Sequence, residues 1–437
     1  MIYTRFCRYF ILALTVLPWF ADGRVMLSPL LKIREPSVVR AVSFSPDGRW
    51  LLIDGGSKVK LWQMDVVDPA RKNGPVATLP ASETIMDHSI SYDSQWAATV
   101  SYDNHLRLWN LANITQNTRY PEPQKLGEDN TGNDPKVVVF SEDRQWLAVG
   151  GTFNTFKIYN ISTIMEDTSI ANPLTFEHSS ETSVAAFSCD SKFLMTTSTD
   201  SVTKYWDLTR QYLDSSGKRT AQLLANLKLN NANPINYSPG SPHNAMSLHP
   251  SGQYAASLFS NTSIIWNLNE KYHDYNAIET ASVAAVAWHA DDIIFVKFSD
   301  DGRYLLTAGK DNRAKVWGLK QLQYDEESGL VIPELLAVME HSSSVVYADF
   351  HPLEHFVVTA SSDQTARLWD LDDIQPPEPD NDQDEPIPFL LATMRHGAGL
   401  RQAVFHPGGR YLVTTSEDRY WALWEIPDHI GKVAREP

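Results

Sequence analysis

One unit recurs eight times along this chain, and that repetition overrides the two or three domains that 437 residues would otherwise suggest. Each copy has an apolar run ending in an aromatic or aliphatic residue, a turn with Pro, Asp or Gly, a second apolar run, a polar turn, and a third run ending in an aromatic residue. The clearest copies are YADFHPLEHFVVTASSDQTARLWDL (347–371) and AVFHPGGRYLVTTSEDRYWALWEI (403–426). The closing aromatics are Trp62, Trp109, Tyr159, Trp206, Trp266, Trp317, Trp369 and Trp424. Their spacing runs from 47 (Trp62 to Trp109) to 60 (Trp206 to Trp266). Within each copy the apolar residues alternate at period two, with Gly, Asp and Asn at the breaks, which specifies strands and tight turns. A lone sheet this small cannot bury both faces. Eight packed around an axis do, and only short edges stay open.

Trp-Asp pairs stand at Trp206-Asp207 and Trp369-Asp370. With the eight in-phase copies, the chain resembles the WD40 family over nearly its whole length. The resemblance implies an all-β, eight-bladed WD40-type β-propeller with four-stranded antiparallel blades. It also implies a hydrogen-bonded set in each blade: His before the first strand, Ser or Thr on the second, Asp in the next turn, Trp on the third. Five copies carry Thr, Asp and Trp at the matching places: Thr99, Asp103 and Trp109; Thr196, Asp200 and Trp206; Thr307, Asp311 and Trp317; Thr359, Asp363 and Trp369; Thr414, Asp418 and Trp424. Four of these add His178, His289, His341 or His396. Burying Asp or His is costly unless it is paired, so the set reads as structural. A hydrolase triad would occur once, not in blade after blade, and no nucleophile motif accompanies any copy. Gly56, Phe153 and Ser260 stand at the Asp position of copies one, three and five, whose turns are expected to be less rigid.

In the family the outermost strand of each blade precedes the inner strands of the next repeat. PLTFEH, LLAVMEH and LLATMRH fit that place here, and so does PLLKIRE at 29–35. The last repeat ends at Ile426 without an outer strand, so the N-terminal strand is expected to complete the last blade and close the ring.

The first 23 residues differ. Arg5 and Arg8 precede an apolar run from Phe10 to Ala21, and small residues follow. This is the layout of a secretory signal, too short to span a bilayer as a helix. The expectation is a leader or N-terminal anchor at 1–23, a propeller over 24–437, and an exported protein; a cytoplasmic protein with a misread start is the alternative.

The net charge of −16 argues against nucleic acid and anionic membrane surfaces as partners. Two cysteines, Cys7 and Cys189, form no disulfide framework. No cofactor is expected. Asp380, Asp382 and Asp384 have the spacing that opens a calcium loop, but Pro386 and Leu391 replace the Gly and Glu such a loop needs, so a solvated acidic loop is the favoured reading. Two features suggest a protein or peptide partner, and an acidic one. Tyr237 sits at the centre of a long connection on the face holding the His and Asp turns. Arg34, Arg40, Arg395 and Arg401 fall at equivalent places flanking the joint between blades 8 and 1. Trp421 falls where its repeat neighbours are apolar, and reads as core. The expected function is a non-catalytic protein-interaction scaffold, with an exported propeller enzyme or cofactor-binding protein, or an intracellular adaptor with a misread N-terminus, as alternatives. The oligomeric state is left open.

Overall fold

The computed structural model describes residues 19–21, 24–64, 74–112, 114, 135–151, 154–161, 173–198, 202–215, 217–227, 246–268, 282–325, 330–375, 385–427 and 430. Eight sheets follow one another along the chain as blades 1 to 8. Blade 6 is typical: Ile293–Phe298, Tyr304–Gly309, Arg313–Asp325 and Leu330–Glu340 pair antiparallel in that order. Blade 2 contributes three strands among the described residues, Ile85–Ile90, Trp96–Ser101 and Leu106–Asn110. The first strand of every blade touches those of both neighbours, and the cycle closes from Leu400–Phe405 back to Val42–Phe44. The eight first strands therefore surround the axis, and the fourth strands form the rim.

Second strands such as Phe356–Ser361 are buried almost throughout, because each blade lies between two others. The apolar clusters accordingly span joints. One gathers Val100 and Leu108 of blade 2 with Val138, Phe140 and Tyr159 of blade 3. No blade has a core of its own, so stability is shared between neighbours.

The N-terminal strand closes the ring as expected. Leu31–Arg34 pairs antiparallel with Tyr420–Glu425 as the fourth strand of blade 8. The segment before it does something the sequence did not suggest. Arg24–Met26 lies parallel to the outer strand of blade 7, with Met26 opposite Thr393 and the Leu27 N–H on the Thr393 carbonyl at 3.1 Å. Trp19–Ala21, inside the expected leader, pairs back onto Arg24–Met26. The N-terminal segment thus spans the rims of blades 7 and 8. A similar contact joins blades 6 and 7: the Val338 N–H, at the equivalent rim position, donates to the Pro386 carbonyl at 2.7 Å.

The turn between first and second strands has two chemistries. In five blades a serine (Ser45, Ser91, Ser141, Ser188, Ser299) donates to an Asp two residues on, and its Oγ accepts the N–H that opens the second strand. In blades 5, 7 and 8 a histidine stands there. His249, His351 and His406 accept backbone N–H groups of their own turns at Nδ1. Their Nε2 atoms donate to the carbonyls of Gly302, Gly409 and Gly48 in the next blade, at 2.8, 3.1 and 2.9 Å. Gly302, Gly409 and Gly48 have φ of 71°, 74° and 73°, and a Cβ on any of them would fall 2.5 Å from the facing ring.

Candidate binding face

Strands alternate in direction, so the connection entering each blade and the turn between its second and third strands lie at one end. The hydrogen-bonded sets hold this face. In blade 6, His289 Nδ1 meets Asp311 at 2.9 Å, Nε2 meets Thr307 Oγ1 at 2.8 Å, and Trp317 Nε1–H donates to Thr307 at 2.9 Å. Blade 7 repeats this with His341, Asp363, Thr359 and Trp369 at 2.9, 2.7 and 2.8 Å. Burial holds both histidines below the ordinary imidazole value. Burial would raise the two carboxyls, but bonds from the histidines and from backbone N–H groups outweigh it and hold them low.

The other sets depart from this. In blade 4, His178 and Trp206 both bond Thr196, while Asp200 lies outside the described residues. In blade 8, His396 and Trp424 both bond Thr414 at 2.7 Å, but His396 Nδ1 is buried without a partner. Asp418 instead accepts the Gly397 and Tyr420 N–H groups. Burial, with Lys32 of the closing strand nearby, pushes His396 down to about 4. Blade 2 has Ala81 where these blades place His before the first strand; Arg107 meets Asp103 at 2.6 Å while Trp109 keeps its bond to Thr99.

Blade 1 uses a residue that sequence reading missed. Glu35 follows the closing strand where other blades place His, and its N–H bonds the Arg419 carbonyl just as the His396 N–H bonds that of Gln364. It is 2% exposed. Oε2 meets Lys60 Nζ of blade 1 at 2.6 Å, and Oε1 accepts the Trp421 Nε1–H of blade 8 at 3.2 Å. Trp421 is fully buried, edge-on to Trp62 at 5.1 Å between centroids. The available signal was position: Glu35 is where LLAVMEH and LLATMRH end in His.

The arginines fall into two pairs. Arg34 and Arg395 are the last residues of the rim strands of blades 8 and 7. Arg401 lies on the first strand of blade 8 and Arg40 just before that of blade 1; the Val42 N–H bonds Gln402 Oε1 between them at 2.9 Å. Three strand spacings, about 14 Å, separate Arg401 from the rim of its own blade. Six first strands carry a β-bulge at the same place, and the extra residues are Met86, Lys136, Ser183, Ile294, Val346 and Arg401. Arg40 stands at that place in blade 1. These positions lie at the upper ends of the strands that surround the axis. Lys136 pairs with Glu181, and Arg401 meets Glu417 at 3.5 Å. Among the described residues no carboxylate lies within ion-pair distance of the Arg40 guanidinium, which is exposed with Nη1 3.2 Å from Met86 Sδ. Tyr237 and Asp380, Asp382 and Asp384 lie outside the described residues.

Six segments match the family model described as WD domain, G-beta repeat: 27–63, 73–110, 172–207, 280–318, 333–370 and 389–425. The unmatched stretches hold blades 3 and 5, where Tyr159 and Ser260 break the pattern. The chain is 27% identical to a periodic tryptophan protein 2 homolog of Neurospora crassa over 199 residues, 43% of this chain and 21% of that protein. It is 26% identical to the nuclear distribution protein PAC1 of Arthroderma otae over 199 residues, 42% of this chain and 38% of that protein. It thus matches well under half the length of these relatives. The crystal structure of the C-terminal WD40 domain of Sif2 superposes with a TM-score of 0.65 at 13% identity, covering 92% of this chain and 99% of that one.

Proposed function

We propose, from the fact that this chain belongs to the WD40 repeat family, that it is a non-catalytic scaffold holding a protein partner on its upper face, with Arg40 and Arg401 as anchors for an acidic segment of that partner. The observation that carries this reading is the column of bulge positions. Basic residues hold it on blades 8 and 3, Arg40 stands at the matching place of blade 1, and Arg40 has no carboxylate partner among the described residues, in a chain of net charge −16. An exposed guanidinium whose hydrogen bond goes to the weak thioether acceptor Met86 Sδ is suited to carboxylates, and rigid sheets on both sides preorganise it. The same charge favours a protein over nucleic acid. The sets that lock the His and Asp turns support a structural role for residues that could otherwise pass as catalytic.

Crosslinking in the native cell with mass spectrometry would identify the partner. The Arg40→Glu, Arg401→Glu variant should lose it while keeping the parent's melting curve; retention would refute the anchoring role. Export through residues 1–23 belongs to the same proposal. A mature N-terminus near residue 24 would support it, and an intact Met1 in a soluble fraction would oppose it.

A further inference from the structure

We propose that the rim of blade 7 is a docking site for an extended, apolar segment of a partner protein, and that Arg24–Met26 is the built-in strand that covers it. The site lies on the rim, apart from the face that carries Arg40, and does not depend on the reading of that face.

Blade 7 is complete without this strand. Val345–Phe350, Phe356–Ser361, Thr365–Gln375 and Ile387–Arg395 already pair antiparallel as its four strands. Leu31–Arg34 closes the ring on blade 8. Arg24–Met26 is therefore a fifth strand on a finished blade, joined to the closing strand by residues 27–30. The surface beneath it is apolar. Val25 and Leu27 stand two apart, so they face the same way, and they are 3% and 8% exposed. They belong to one cluster with Leu368, Leu391 and Met394 of blade 7 and with Ile426 and Ile430, which follow the last strand of blade 8. A backbone edge over an apolar floor is what strand addition requires. The edge supplies main-chain hydrogen bonds, and the floor selects side chains at alternate positions.

The cover is held lightly. It pairs in parallel through one residue pair, Met26 with Thr393, extended by the Leu27 N–H. Parallel pairing is the weaker kind. The closing strand instead pairs antiparallel over Leu31–Arg34, with the Leu30 and Glu35 N–H groups on the Leu423 and Arg419 carbonyls, both at 2.8 Å. The equivalent edge of blade 6 is filled differently. Pro386, whose carbonyl takes the Val338 N–H, stands directly before the rim strand of blade 7 and cannot leave it. Blade 7 thus has a cover that lifts without opening the ring. That cover also shows what fits in its place: an extended segment parallel to Ile387–Arg395, with uncharged apolar residues where Val25 and Leu27 stand.

The probe is a fluorescein-labelled peptide of residues 24–30, RVMLSPL, measured against the full chain. In the parent the tethered strand competes at an effective concentration on the order of millimolar, so the free peptide binds weakly. The Val25→Asp, Leu27→Asp variant expels the cover and should bind the peptide at least about tenfold tighter, the size of one or two net backbone hydrogen bonds. A peptide carrying the same two changes should not bind. Thr393→Pro, added to that variant, removes the edge N–H and should abolish binding. No gain in the uncovered variant, or binding that survives Thr393→Pro or the altered peptide, overturns the inference. A parent that sediments as a dimer and an uncovered variant that sediments as a monomer would assign the edge to a second copy of this chain, which also overturns it. Hydrogen exchange in the parent decides the matter if the variant fails to fold. The Leu27 amide should exchange at least about tenfold faster than those of Leu30 and Glu35. Equal protection would mean that cover and closing strand leave together, and overturns the inference.

Discussion

His406 Nε2 donates to the Gly48 carbonyl at 2.9 Å, joining the last blade to the first on the face opposite the proposed binding site. The bond needs glycine twice over. The backbone there is left-handed at φ 73°, and a Cβ would sit 2.5 Å from the imidazole. Gly252 has nearly the same φ, 72°, but nothing within 4 Å of its Cβ position.

The two glycines make a matched pair. Gly252→Ala should cost about 1 kcal/mol from backbone strain alone. Gly48→Ala should cost about 3 kcal/mol, because the methyl also collides with the ring. Denaturant unfolding checks both, and His406→Ala should recover part of the Gly48→Ala loss in a double-mutant cycle.

Asp363 bonds its histidine and Asp418 does not. Asp363→Asn should therefore cost about 2–3 kcal/mol and Asp418→Asn about 1 kcal/mol. Equal losses in thermal unfolding would show that the His–Asp bond contributes little in blade 7.

Acid should weaken blade 8. His396 titrates near 4 in the fold against 6.5 unfolded, so between these values the unfolded chain binds the extra proton. Stability should fall as pH drops from 6.5 towards 4, by about 3 kcal/mol for this group at the limit. His396→Gln should flatten that slope in melting scans, and Lys32→Gln should reduce it by raising the folded value.

Closure depends on the N-terminal segment. Deleting residues 24–36 should abolish the cooperative transition, since Leu31–Arg34 and Glu35 go together. Within the intact chain, Glu35→Ala should cost about 3 kcal/mol by leaving Lys60 unpaired and the Trp421 N–H without an acceptor. Circular dichroism melts separate the two outcomes.

The repeat, its register and the closing strand were all legible, because period-two alternation and the Trp and Thr columns leave direct marks on sequence. Thr99, Thr196, Thr307, Thr359 and Thr414 all accept their tryptophans, ten residues away. Glu35 was missed because it replaces a neutral ring with a charge whose partners lie 25 residues away in its own blade and 386 residues away in blade 8. The strand Arg24–Met26 was invisible for a different reason. Its pairing with blade 7 runs through backbone groups, and any sequence offers those. The His–Gly joints could have been found, since each His-Pro turn precedes a blade whose turn carries glycine at the matching place. Register aligned Arg34 with Arg395 and Arg40 with Arg401, but it says nothing of radius, which separates Arg34 from Arg401.

The closing strand also sets a timetable for synthesis. Leu31–Arg34 leaves the ribosome long before its partner Tyr420–Glu425 is made. At typical elongation rates the strand must wait roughly 20–80 seconds for its place to exist. Throughout that interval Leu31 and Ile33 flank an unpaired edge on an unfinished arc of blades. A chain of this design therefore risks pairing with another nascent copy before it can pair with itself, and the hazard lies in the delay, not in the finished ring.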